Sequence, residues 1–182
     1  MEIQVRRTGE RRYAMTINRK NLPPYEMGGP GFDPLMPHDL LHLIVERELG
    51  LTHGIFGFIA AGGGWSEPGD GKSRREVARS RSRAARRAGK LLREGARDDG
   101  PQSERATYFF LYEWLRRSSD PERRKRAAEM AAHSPAVLPD AERRTLSEDE
   151  ITRICAVMDD LSAQWSSLEV GQSFVVEWPD RK

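Results

Sequence analysis

The chain has 182 residues, of which 37% are hydrophobic and 32% are charged, with a formal net charge of +2. This length suits one domain with a real core and is short for two, and the composition describes a soluble protein with a polar surface. No apolar run approaches the roughly 18 residues of a membrane helix, and the N-terminus lacks an apolar signal-peptide core, so we expect a cytoplasmic protein without membrane contact.

The first third of the chain predicts a hairpin, a loop and a helix. Residues 2–19 alternate apolar and polar side chains in two runs around the turn residues 8–10, which indicates a β-hairpin. Residues 21–34 are rich in Pro and Gly and are predicted to form a loop. A helix is then expected over 37–49, because Pro37 suits its first position and Gly50 suits its end.

A short apolar helix or turn is expected next, within residues 51–65. Gly54 and Gly57 are interpreted as points of close helix packing rather than as a phosphate loop, because no lysine follows in the Walker spacing. The glycine-rich stretch near 62–72 is predicted to be a flexible connector, and a basic helix is predicted over 73–96.

The C-terminal half predicts further helices and one strand. Residues 102–117 form a helix whose middle is apolar nearly all round, and a short charged helix follows Pro121. Another helix begins at Ser147, which makes a capping box with Glu150. A strand over 174–178 ends the chain.

Together these elements predict an α+β fold in a single domain over 1–182. A small antiparallel sheet, formed by the N-terminal hairpin and the C-terminal strand, is packed by four or five helices.

Two of the four histidines, His38 and His42, lie one helical turn apart at the start of the helix over 37–49. Positions four apart differ by about 40° around a helix, so both rings share the apolar face that carries Val45 and Leu49. Two neutral imidazoles at this spacing can bind one divalent metal ion such as zinc. The same pattern also suits two hydrogen-bonded core histidines, and both interpretations stay open.

A metal site at this helix needs a third ligand. Glu46, one turn past His42, is a candidate metal ligand or a carboxylate that contacts a ligand. Asp39 and His53 are candidates for groups that orient the ligating histidines. The single cysteine, Cys155, excludes a cysteine-based zinc cage and is predicted to be a buried small hydrophobe. The pattern identifies no catalytic residue, reaction or substrate.

The string from His38 to His42 is similar to the H-E-x-x-H motif of zinc metalloproteases. Asp39 stands where that motif has glutamate, and its shorter carboxylate would not reach a metal-bound water in the same way. Protease activity is therefore not favoured.

Residues 37–62 also resemble a signature of small bacterial proteins of uncharacterised function, P-H-D-x-x-H-x-x-V-E followed by G-x-F-G-x-x-A-x-G. The resemblance covers about 26 of the 182 residues. It implies no activity, but it implies that four residues act as a unit: His38, Asp39, His42 and Glu46. The matching residues are Pro37, His38, Asp39, His42, Val45, Glu46, Gly54, Phe56, Gly57, Ala60 and Gly62.

The charge of the chain is segregated. Residues 72–97 contain eleven Lys/Arg and two Glu, a charge of +9, so the remainder carries −7. Arginine suits bidentate phosphate contacts, which predicts binding to nucleic acid or an acidic protein surface. The other interpretation is a solvated helix that pairs with the acidic remainder, within one chain or across a homo-oligomer. The candidate polyanion-binding residues are Arg74, Arg75, Arg79, Arg83, Arg86, Arg87 and Lys90.

The sequence therefore supports two hypotheses of different classes. The first is a metal-binding or hydrolase-like histidine site on the helix over 37–49, with a divalent metal such as zinc. The alternative is a nucleic-acid or protein-interaction module that uses residues 72–97.

Overall fold

The structure is a computed structural model that describes residues 1–60 except 21, 23, 29, 30 and 53, together with 99–135 and 138–179. The connector near 62–72 and the basic helix over 73–96 that the sequence predicts lie outside the described residues. The elements in chain order are β1 (Glu2–Gly9), β2 (Arg12–Asn18), β3 (Tyr25–Met27), α1 (His38–Leu49), α2 (Ile55–Ala60), α3 (Asp99–Arg117), α4 (Pro121–His133), α5 (Asp140–Arg143), α6 (Glu148–Ser167) and β4 (Ser173–Glu177).

The four strands form one antiparallel sheet in the order β3-β2-β1-β4. β1 and β2 form the predicted hairpin, in which Ile3 lies opposite Ile17 and Val5 lies opposite Met15. On its other side β1 pairs with β4, so that Val176 also lies opposite Ile3. The predicted α+β fold, with a sheet that joins the N-terminal hairpin to the C-terminal strand, is confirmed.

One sequence prediction fails in the segment 21–34, which is not a loop throughout. Its residues Tyr25–Met27 form β3 and pair with the edge of β2 that the hairpin leaves open. Pro24 and Gly28 flank this strand and limit it to three residues without preventing it. The alternation of the three residues places Tyr25 and Met27 against the core and leaves Glu26 exposed.

The helix ends follow the local signals in the sequence. α1 begins at His38, and Pro37, predicted at the first helical position, is instead the residue just before the helix. The helix ends at Leu49, and Gly50 caps its C-terminus. Gly50 has a φ of 71°, the left-handed conformation that favours glycine. At the start of α6 the predicted capping box is present, because Ser147 and Glu150 each accept a hydrogen bond from the other's backbone N–H.

The helices pack with the inner face of the sheet around one hydrophobic core. The part of the chain that the structure describes contains six helices, one more than the highest number expected, and the additional one is the single-turn α5. α1 contacts α2, α3 and α6, and residues 40–46 of α1 are all buried as a result. This central position takes His42 and Glu46 into the interior. None of the helices in the described part of the chain is long and apolar enough to cross a membrane.

Candidate metal centre

The two histidines of α1 converge, as the helical spacing predicts. His42 Nε2 lies 3.1 Å from His38 Nε2, and the two ring planes are nearly perpendicular at 85°. His42 is only 1% exposed, whereas His38 is exposed at the first position of the helix. The His38 backbone N–H donates to the carbonyl of Gly31 at 3.0 Å, which fixes the start of α1. The pair therefore reaches from solvent into the core.

Tetrahedral zinc holds imidazole nitrogens at about 2.0–2.1 Å, which places two such nitrogens about 3.3 Å from each other. The separation of 3.1 Å between the two Nε2 atoms is close to that value. A hydrogen bond between two neutral imidazoles, one donating and one accepting, has a similar length. The distance alone fits both interpretations, so the surroundings of the pair decide what the pair can do.

A carboxylate that the sequence analysis did not identify completes the cluster. Glu104 of α3 has its Oε2 3.5 Å from His42 Nε2, and its side chain is 64% exposed. One ligand atom from each of His38, His42 and Glu104 lies within 4.8 Å of the other two. Among the described residues these three therefore form a candidate site with two imidazole nitrogens and one carboxylate.

Glu46 lies on the other side of the His42 ring. It is fully buried, and its Oε1 is 4.0 Å from His42 Nδ1. Oε1 accepts hydrogen bonds from the Ser103 hydroxyl at 2.7 Å and from the backbone N–H of Ile55 at 2.8 Å, and Oε2 accepts from the N–H of Phe56 at 2.8 Å. Of the two roles open for Glu46, this placement favours a carboxylate beside the ligand His42 over a metal ligand, because Glu46 lies at Nδ1 and the other candidate ligands lie at Nε2.

Glu46 also caps α2 from a neighbouring helix. A helix N-terminus leaves backbone N–H groups without intrahelical partners, and the Glu46 carboxylate accepts from two of those of α2. A Cβ atom at Gly54 would lie 2.3 Å from the Glu46 carboxyl carbon, and one at Gly57 would lie 2.1 Å from a backbone carbonyl oxygen. The expectation of close helix packing is confirmed at Gly54, which meets α1, whereas the close approach at Gly57 is to the backbone of Thr52 just before α2.

Burial shifts the pKa values of both inner groups. Desolvation lowers the pKa of His42, while the negative charge of Glu104 opposes that shift. Desolvation raises the pKa of Glu46, while the hydrogen bonds from Ser103 and the α2 backbone oppose it. His42 is therefore held in its neutral form, which is the form that binds metal ions.

The remaining predicted site residues lie in different places. The Asp39 carboxylate accepts a hydrogen bond from the Tyr13 hydroxyl at 2.6 Å, so it is held by the sheet. Burial raises the pKa of Tyr13, and the hydrogen bond to Asp39 adds to the shift. His53 and residues 72–97, with all the candidate polyanion-binding arginines, lie outside the described residues.

A sequence signal for the α3 residues existed in the pattern of that helix. Ser103 and Thr107 are four apart and continue the stripe that includes Phe110 and Trp114, and all four are buried. Small hydroxyl residues on a buried stripe need polar partners, which points to a buried polar group on the facing helix. Glu104 has no such signal, because an exposed glutamate next to a buried position is ordinary.

Comparisons of the chain with protein-family models, with curated proteins and with solved structures find no significant match. The site is therefore interpreted from its own geometry.

Proposed function

We propose that the protein binds a divalent metal ion of the zinc type through His38 Nε2, His42 Nε2 and the Glu104 carboxylate. The observation that carries this proposal is the grouping of these three ligand atoms within 4.8 Å, with the two imidazole nitrogens 3.1 Å apart. Two histidines and one carboxylate are a known ligand set of catalytic zinc sites.

The position of the site at the surface favours hydrolase-like chemistry over a purely structural role. Structural zinc sites have four protein ligands, whereas catalytic sites have three and keep one position for water. Zinc at such a site lowers the pKa of its bound water and so supplies a nucleophile at neutral pH. The exposed side chains of His38 and Glu104 leave one side of the cluster open to solvent and to a substrate.

The metal site also joins two parts of the chain. His38 and His42 belong to α1, and Glu104 belongs to α3, about sixty residues later in the sequence. A bound ion would therefore tie these helices together, and its binding free energy would add to the stability of the fold.

The experiment that tests the proposal is metal titration of the purified, chelator-treated protein. Co²⁺ reports bound geometry through its visible absorption, and elemental analysis reports the metal that co-purifies. We expect one equivalent per chain in the wild type, loss of binding in His42→Ala, and strong weakening in His38→Ala and Glu104→Gln.

His133→Ala is the matched control. His133 is an exposed histidine at the end of α4, where its Nδ1 contacts the carbonyl of Glu129 at 2.8 Å. Its replacement should leave metal binding unchanged. Absence of stoichiometric binding in the wild type, or equal binding in His42→Ala, would leave His38 and His42 as a hydrogen-bonded structural pair.

The alternative function, binding of nucleic acid or an acidic protein surface, depends on residues 72–97 and stays a prediction. Its support is the charge of +9 over those residues. Retention on heparin should fall as salt rises, and it should weaken when Arg79, Arg83 and Arg86 are neutralised. Retention that does not change in that variant would remove this function.

A further inference from the structure

With Glu46 ionised, the hydrogen bonds on the inner side of His42 have one consistent direction. The backbone N–H groups of Ile55 and Phe56 can only donate, and each lies 2.8 Å from a different oxygen of Glu46. When Glu46 is ionised, both oxygens of its carboxylate are acceptors only, and the hydroxyl of Ser103, 2.7 Å from Oε1, donates its single hydrogen to that oxygen.

The direction of the bond from Ser103 to Glu46 determines which atom donates in the hydrogen bond between Ser103 and His42. Ser103 Oγ lies 3.0 Å from His42 Nδ1 and has only lone pairs left to offer in that direction. Nδ1 must then carry the hydrogen. The hydroxyl oxygen of Thr107, 3.3 Å from the same nitrogen, is a second acceptor for it.

We infer that Glu46, acting through Ser103, holds His42 in the tautomer with its proton on Nδ1 and so presents Nε2 as the metal-binding atom. Nε2 then faces His38 Nε2 and Glu104 with a free lone pair. Without metal, a hydrogen on His38 Nε2 would point to that lone pair. For metal binding the exposed His38 ring would lose this hydrogen to solvent and carry its proton on Nδ1, so that its Nε2 is also free. None of the inner hydrogen bonds reverses in this exchange. Glu46 and Ser103 are positioning residues, and the metal role rests on the proposed function.

The test has one arm without metal and one arm with it. Nitrogen NMR of the ¹⁵N-labelled imidazole in metal-free protein at pH 8 distinguishes a protonated from an unprotonated ring nitrogen. We expect the wild type to carry the His42 proton on Nδ1. Ser103→Ala should lower the fraction of this tautomer and weaken Co²⁺ binding about 10- to 100-fold, the usual effect of losing a group that orients a ligating histidine.

Thr107→Val is the matched control, because it removes the other hydroxyl near Nδ1 but leaves the bond between Ser103 and Glu46 intact. It should keep most of the Nδ1–H tautomer and affect Co²⁺ binding less than Ser103→Ala does. Urea unfolding of both variants separates a change at the imidazole from a loss of fold.

A wild-type His42 with its proton on Nε2, or a Ser103→Ala variant with unchanged tautomer and affinity, overturns the inference. The NMR measurement without metal tests the tautomer of His42 independently of whether the protein binds metal. The wild type could bind no metal and still show the Nδ1–H tautomer that Ser103→Ala loses. That result would support the positioning of His42 by Glu46 and Ser103 and would contradict the proposed metal site.

Discussion

The two sides of the His42 ring lie in opposite environments. On the inner side, Nδ1 faces Ser103, Thr107 and Glu46, which are all buried and hydrogen-bonded. On the outer side, Nε2 faces the exposed His38 and Glu104. The inner side is part of the fold, since its carboxylate also caps α2. The outer side has little to hold it in the absence of an ion. Variants on the inner side should therefore lower stability and weaken metal binding only through the orientation of His42, whereas variants on the outer side should weaken binding with little effect on stability.

The largest effect is expected from Glu46→Ala. This change leaves two backbone N–H groups of α2 and the Ser103 hydroxyl without their buried acceptor, and each such group costs about 1–3 kcal/mol. We expect the free energy of unfolding, measured by urea denaturation of metal-free protein, to fall by about 3–5 kcal/mol. Glu104→Ala should lower it by less than about 1 kcal/mol, because this carboxylate is exposed. Equal losses in the two variants would remove the distinction between the sides.

Added zinc should stabilise the fold through the outer side. A ligand that binds only the folded state at 100 times its Kd raises the free energy of unfolding by about 2.7 kcal/mol. The thermal midpoint of the wild type should therefore rise with zinc and fall again with a chelator. His38→Ala should respond weakly to zinc while keeping its metal-free stability. A zinc response in His38→Ala as large as in the wild type would place the ion elsewhere.

Gly54→Ala tests the packing that holds Glu46 in place. The added Cβ would lie 2.3 Å from the Glu46 carboxyl carbon, so the buried carboxylate must move away from its donors. We expect a loss of about 1–3 kcal/mol in the free energy of unfolding, the usual cost of overpacking. Gly28→Ala is the control, because its Cβ would meet only a backbone oxygen at 3.4 Å. A Gly54→Ala variant as stable as this control would contradict the described contact.

The smallest effect is expected at Glu150. Its carboxylate caps the start of α6, as that of Glu46 caps α2, but it is exposed. Hydrogen bonds from the Ser147 backbone and side chain hold the pKa of Glu150 below its ordinary value. Its stabilising effect is therefore complete above the unfolded pKa of about 4.3 and is lost as the pH falls through the lower folded value. The difference in stability between wild type and Glu150→Gln should shrink in that window. A difference that does not change with pH would show that the charge of Glu150 adds nothing to the cap.

Much of the fold could be predicted because its signals are local. The alternation of the hairpin strands and the caps at Gly50 and Ser147 each depend on residues close together in the sequence. β3 could not be predicted, because the three residues between Pro24 and Gly28 form a strand only by pairing with the open edge of β2.

The candidate site could be predicted only in part. The spacing of His38 and His42 on one helix predicts that their rings converge, and Gly54 and Gly57 predict close packing. Ser103 and Glu104 come from a distant segment, and their contact with α1 depends on how α3 packs in the folded chain. Helical periodicity indicates that Ser103 is buried and needs a polar partner, but it does not identify the helix that supplies this partner. Glu46 lies one turn from His42, but the packing of α2 and α3 against α1 decides which side of the His42 ring it lies on.

The most direct measurement is a crystal structure of the zinc-loaded protein with anomalous data collected at the zinc absorption edge. The account predicts one zinc ion at about 2.0–2.2 Å from His38 Nε2, His42 Nε2 and a Glu104 oxygen, with a further position open to solvent. A zinc peak at another place, or coordination of His42 through Nδ1, would contradict it.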